Sequence, residues 1–173
     1  NIVYGERLVG GVVTYANSAG TELRSLYFEV VHTGHEITAF VGWYLDEKWV
    51  PVTDVDDIND AGDGSVDNDS GHGLGPASGT PVLYLRGHLG ASDQAVDSML
   101  DSAFADIDSN HRHRGCARTV VRCELIAGAE DVWHNRAPQN IAAVVKGKKV
   151  YYPRKDSTFD GGSGSHRLND PST

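Results

Sequence analysis

Apolar and polar positions along this chain follow two periods, and these place its elements. Across residues 23–31, Leu26, Phe28 and Val30 alternate with Tyr27, Glu29 and Val31. That period of two, with one strongly apolar face, predicts a β-strand. Val12, Val13, Thr14 and Tyr15 follow the pair Gly10-Gly11, so residues 3–15 read as a strand bent or bulged at the glycines. Residues 17–20 read as a turn, 32–35 as a connector, and 37–45 as the second arm of an antiparallel pair with 23–31. Residues 48–52 add a short arm after an Asp46-Glu47 turn. Further strands are predicted over 81–89 and 117–126, the latter with Val120, Val121 and Leu125 as core positions.

The stretch around which the rest is organised spans residues 140–154, NIAAVVKGKKVYYPR. Its apolar runs, 141–145 and 150–152, flank Lys146-Gly147-Lys148 and end at Pro153. Glycine in a short polar tripeptide and a closing proline predict a β-hairpin whose first arm is covered on both faces. A helical period occurs once: Val96, Met99, Leu100 and Ala103 form a stripe with Asp93, Asp97 and Asp101 off it. This predicts one packed amphipathic helix at about 92–105, capped by Ser92. Residues 130–134 read as a single helical turn presenting Trp133. The expected fold is therefore mainly β, a barrel or sandwich with one packed helix. Residues 1–155 form one domain, and 156–173 a flexible polar tail or linker.

Residues 54–76 break the pattern. Asp54, Asp56, Asp57, Asp60, Asp63, Asp67 and Asp69 stand among glycines and serines, which reads as an acidic mobile loop. Clustered carboxylates suit calcium, but the EF-hand order and its distal Glu are missing, so a solvated loop is the simpler reading.

At 173 residues the chain can bury a core without staples, and its net charge of −9 argues against a phosphate-binding surface. No apolar run reaches membrane-spanning length, no signal-peptide pattern opens the chain, and the start at Asn1 suggests a piece of a longer protein. Cys116 and Cys123, seven positions apart in an extended run, would lie roughly 23 Å apart, which excludes a mutual disulfide. Free thiols fit assembly in a reducing cytoplasm.

Catalytic and metal motifs are sparse. His111, His113, Cys116 and Cys123 are the only zinc-like set, and their parity along a strand works against tetrahedral convergence. There is no Walker loop, dinucleotide fingerprint or His-Glu-x-x-His. The residues nominate no catalytic, cofactor-binding or metal-binding position, and the chain reads as a non-enzyme. A metal-dependent hydrolase would need these His, Cys or Asp groups to converge. A carbohydrate-binding sandwich would use Trp43, Trp49 and Trp133 as platforms, although Trp43 sits in an apolar strand.

Five segments occur in one order: YGERLVGG at 4–11, GHEI at 34–37, HLGASDQAVD at 88–97, HRHRGCA at 111–117 and PQNIAAVVKGKKVYYPR at 138–154. Together they resemble an interior segment of the tail-tip attachment proteins of long-tailed bacteriophages, also called host-specificity protein J or the central tail hub. Tyr152 and Glu6 depart from that pattern, where Asp and a basic residue are usual. The resemblance implies a structural part of a trimeric hub in the virion, synthesised in the host cytoplasm. Its partners would be the tail tube and other tail-tip or baseplate proteins, with the host receptor engaged by other parts of the protein.

Overall fold

After the first strand, consecutive pairs of strands are dealt in turn to two antiparallel sheets. The computed structural model of the chain describes residues 2–56, 58, 64–66, 74, 81–126, 129–133, 137–151 and 167–168, without the side chains of 130, 131, 150, 151, 167 and 168. The strands are β1 (Glu6–Gly10), β2 (Val12–Ala19), β3 (Ser25–Thr33), β4 (Ala39–Leu45), β5 (Lys48–Pro51), β6 (Leu83–His88), β7 (Ala117–Glu124), β8 (Ile141–Lys146), β9 (Val150–Tyr151) and β10 (Arg167–Leu168). The first sheet has the order β1-β8-β4-β5, the second β2-β3-β7-β6, and β10 pairs with β9. Neither four-stranded sheet closes on itself, so the architecture is a sandwich and not a barrel. Trp43, Leu45, Val50 and Val145 of the first sheet meet Leu83, Leu85 and Val121 of the second, all buried in one cluster. The Trp43 indole N–H donates to the Thr119 hydroxyl at 2.8 Å, tying the layers together.

The bend at Gly10-Gly11 carries the chain from β1 in one sheet to β2 in the other. A second crossing, after Thr33, corrects the expected pairing of residues 23–31 with 37–45. β3 lies between β2 and β7, and β4 between β8 and β5. Stacking buries both apolar faces at once, whereas side-by-side pairing would leave them facing the same way. β3 runs on through His32 and Thr33, both buried, because the ladder to β7 extends to Thr33 and Ala117. In the same way β2 continues through the expected turn at 17–19, since its ladder reaches Ala19 and Ser25. The Asp46-Glu47 turn is as expected: φ values of 45° and 74° close a two-residue hairpin between β4 and β5.

The hairpin expected at 140–154 is also corrected. β8 is an inner strand, paired with β1 on one side and β4 on the other, while β9 pairs with β10. A strand apolar on both faces gains more from two neighbours than from one short arm. Gly147 does not adopt left-handed backbone; it allows close approach. A Cβ there would lie 2.2 Å from the Val3 carbonyl oxygen. The Lys148 N–H donates to that oxygen at 2.9 Å, and the Gly147 N–H to Gly5 at 2.8 Å. Gly147→Val is therefore expected to cost about 1–3 kcal/mol by overpacking, read as a lower denaturant midpoint. An unchanged midpoint would refute this role.

The main helix, α1 (Ser98–Ala103), is shorter than the expected 92–105. Its cap is Asp97 and not Ser92: the Asp97 carboxylate accepts from the N–H groups of Met99 and Leu100, both at 3.0 Å. The residues before it are held otherwise. The Gln94 amide accepts from the Gly90 N–H and donates to the Arg112 carbonyl, each at 2.8 Å. A second helical turn, α2 (Glu130–Trp133), forms where expected, with Trp133 buried.

Within 54–76 the described residues are anchored. Val55, Val66 and Leu74 are buried in the inter-sheet cluster. Val66 N–H donates to Leu83 at 2.9 Å and Leu85 N–H to Gly64 at 2.7 Å, so residues 64–66 cover the outer edge of β6. The rest of that segment, including most of its aspartates, lies outside the described residues, as does the tail apart from β10.

Candidate interaction surface

The sandwich has two outer faces, and the sequence treats them oppositely. On the second sheet, the segment between β6 and β7 folds back over the strands. Phe104 stacks edge-on against Tyr15 and Tyr27 at centroid distances of 5.4 and 5.0 Å, and Met99, Leu100 and Ile107 complete a second apolar cluster with Val120. This strap explains a pattern that alternation alone misreads: Tyr27 and Glu29, on the seemingly polar face of β3, are buried.

Beneath the strap lies a polar layer. Arg118, fully buried, pairs with the Glu29 carboxylate, which also accepts from the Thr14 hydroxyl at 3.1 Å and lies 3.4 Å from the His113 ring. Arg118 further donates to the carbonyls of His111 and Ala95, at 3.3 and 3.2 Å. The His88 ring meets the wholly buried Asp97 carboxylate at 2.8 Å, and Arg86 donates to the Ser98 hydroxyl at 2.6 Å. On the opposite face of β3, between the two sheets, the buried His32 ring shares the Thr119 hydroxyl at 2.9 Å with Trp43 and packs edge-on against Phe40. The contacts of Arg118 with His111 and Ala95, of His88 with Asp97 and of Arg86 with Ser98 pin the strap to the sheet. The only sequence sign of Glu29 and Arg118 was a charge standing inside an otherwise apolar strand, which implies a covered face wherever such a charge has a partner.

The zinc-like set does not converge. His111 Nδ1 lies 3.1 Å from the Asp108 carboxylate, His113 faces Glu29, Cys116 precedes β7, and Cys123 points into the core. Burial, reinforced by the Glu124 charge, pushes the Cys123 thiol far above its ordinary range, opposite to what a metal thiolate needs. Among the described residues, no three His, Cys, Asp or Glu side chains gather around a common point.

On the first sheet, no strap of described residues covers the outer face. The cross-strand registers run Leu8–Val144–Gly42–Pro51 in one row and Gly10–Ala142–Tyr44–Trp49 in the next. Neither row holds a charged residue, although the outer face of an uncovered sheet is ordinarily polar. Leu8 is 60% and Tyr44 37% exposed, and Ala142, Val144, Trp49 and Pro51 are half-buried. The Trp49 ring fills the space over Gly42, where a Cβ would come within 2.5 Å of it, and packs against the Tyr44 ring at a centroid distance of 4.9 Å with the planes tilted by 44°. Leu8, Tyr44 and Ala142, with Glu47 and Asn140 at the rim, line a shallow depression of about 380 Å³. Asp46 fixes that rim by accepting from the N–H groups of Gln139 and Asn140, at 3.0 and 2.9 Å. Charge returns at the margins, in Glu47 and in the Glu6–Lys146 pair. An apolar sheet face with a polar margin is the anatomy of a protein-binding patch.

Of the three tryptophans, Trp43 and Trp133 are buried and only Trp49 contributes to this face. Among the described residues no helix is long and apolar enough to cross a membrane. No known family profile and no curated protein matches the chain. Among solved structures it is similar to a chain in the virion of a native gene transfer agent particle. The likeness has 18% identity and a TM-score of 0.44, and it covers 93% of this chain. The chain spans 33% of the length of that one.

Proposed function

We propose that the chain is a building block of a bacteriophage tail tip, an interior segment of the central hub that closes the tail tube and joins it to the host-attachment apparatus. The five ordered segments support the family. The observation that carries the structural role is the pair of charge-free rows across the first sheet. A neighbouring hub domain or subunit seated on Leu8, Tyr44, Val144 and Trp49 would remove from water a face that the described residues leave open. In the full-length protein this reading entails a homotrimer, contacts to the tail tube and to other tail-tip or baseplate proteins, and receptor contact through other regions. It places the protein in the virion after synthesis in the host cytoplasm, with no catalytic step.

The test pairs Leu8→Asp with Tyr44→Asp in the full-length protein of the phage. Expected is a drop in infectious particles of about a hundredfold or more, with tails unassembled while the purified chain still unfolds cooperatively, its midpoint lowered only by the loss of the Tyr44–Trp49 pair, because a charge buried without a partner at an interface costs several kcal/mol. Wild-type assembly by the double variant would defeat the docking role. The carbohydrate reading keeps only Trp49 as a platform at the surface, and glycan-array binding by the purified chain would be needed to revive it.

A further inference from the structure

The edges of the two sheets are guarded unequally. The outer edge of β6 is covered by residues 64–66, and β5 ends in Pro51, which has no N–H to offer. β2 is different. Its eight residues, VVTYANSA, contain no charge and no proline, and the one irregularity along it is a register shift between Val13 and Tyr15. Among the described residues nothing pairs with its outer side, where every second residue turns its N–H and C=O away from β3. Val12 and Val13 at its start are 70% and 53% exposed. Proteins ordinarily blunt such an edge, because it is a template for another strand.

Beside this edge lies a cleft of about 310 Å³ between the sheets, with Val13, Phe28, Val30, Ile141 and Ala142 among its walls. We propose that β2 receives an extended strand from a different polypeptide, which adds to the second sheet as a fifth strand and places apolar side chains, at every second residue, into this cleft. Main-chain hydrogen bonds would supply the affinity and the cleft the selectivity, as in strand-addition complexes generally. A second copy of this chain fits less well. The residues of β2 that share a face with Val30, Phe28 and Leu26 are Val13, Ala16 and Ser18. Antiparallel self-pairing would thus bring alanine or serine to a cleft that takes a larger aliphatic group. This surface meets the apolar face of the first sheet at Gly10, Asn140 and Ala142, but its strand-accepting edge belongs to the second sheet, and the inference stands without the tail-tip reading.

The probe is a capped, uncharged heptapeptide of alternating threonine and valine, compared with the same peptide N-methylated at alternate residues. Amide exchange across residues 12–19 is followed by NMR in the wild-type chain, in Val13→Lys and in Asn17→Lys, both at exposed positions. Expected is at least about tenfold slower exchange with millimolar peptide, lost on N-methylation and in both variants, while the variants melt like the wild type. Unchanged exchange with the peptide, or equal protection by the methylated one, overturns the proposal. Light scattering on the peptide-free chain covers the other occupant: a dimer abolished by both lysine variants would assign the edge to a second copy and overturn the partner named here.

Discussion

Replacing Arg118 with methionine is expected to destabilise the chain by about 3–5 kcal/mol, the range for breaking a buried ion pair on one side. The guanidinium is fully buried and touches the Glu29 carboxylate and the carbonyls of His111 and Ala95. Without it Glu29 keeps only the Thr14 hydroxyl and the His113 ring as polar neighbours, in a site with little water to replace the lost cation. The loss should also reach the strap, since both carbonyl contacts belong to it. Amide exchange in residues 95–111 is expected to quicken more than exchange in β8, which lies in the other sheet. The double variant Glu29→Gln/Arg118→Met removes the stranded charge and is expected to recover about half of the loss. Chemical denaturation decides the matter. A cost for Arg118→Met below about 1 kcal/mol, or no recovery in the double variant, would mean that the pair contributes little.

The contrast between the two outer faces shows what the sequence could and could not tell. Alternation in residues 23–31 located β3, and the apolar run at 141–145 located β8, because burial leaves a periodic mark in a strand. Pairing leaves none. Gly147 in a polar tripeptide reads as a hairpin turn, whereas its missing side chain serves Val3 from the other end of the chain. Asp97 read only as a position off the helical stripe, yet it caps α1 and holds His88, a contact that depends on where β6 lies. The apolar patch was hidden for the same reason. Leu8, Val144 and Tyr44 belong to three strands far apart in sequence, and only the register of β1, β8 and β4 brings them into neighbouring rows. Long-range placement, then, was the missing information, and the residue types themselves were sound guides to strand, helix and core.

Acidification should act on two buried groups, His32 between the sheets and Asp97 under the strap, in separate windows. Burial pushes the His32 imidazole down from its ordinary 6.5 to about 4. An unfolded chain takes up this proton near 6.5 while the folded chain refuses it until about 4, so stability is lost as pH falls across that interval. At about 1.4 kcal/mol per unit the whole step is of the order of 3 kcal/mol. Asp97 acts lower. Burial alone would raise its carboxyl, but the hydrogen bond and charge of His88, the Leu100 N–H and the Arg86 charge outweigh it and hold the group below its ordinary 3.8. The unfolded chain therefore protonates first near that value, and the stability Asp97 gives at higher pH is lost as pH falls further, through the folded value. Denaturant midpoints at a series of pH values from 7.5 downward separate the two. His32→Gln is expected to flatten the decline between 6.5 and 4 and leave the lower one, and Asp97→Asn to do the reverse while keeping a side-chain oxygen for the cap. If His32→Gln declines as steeply as the wild type through the upper window, the proton uptake belongs to another group and the buried imidazole is not what makes the chain acid-sensitive.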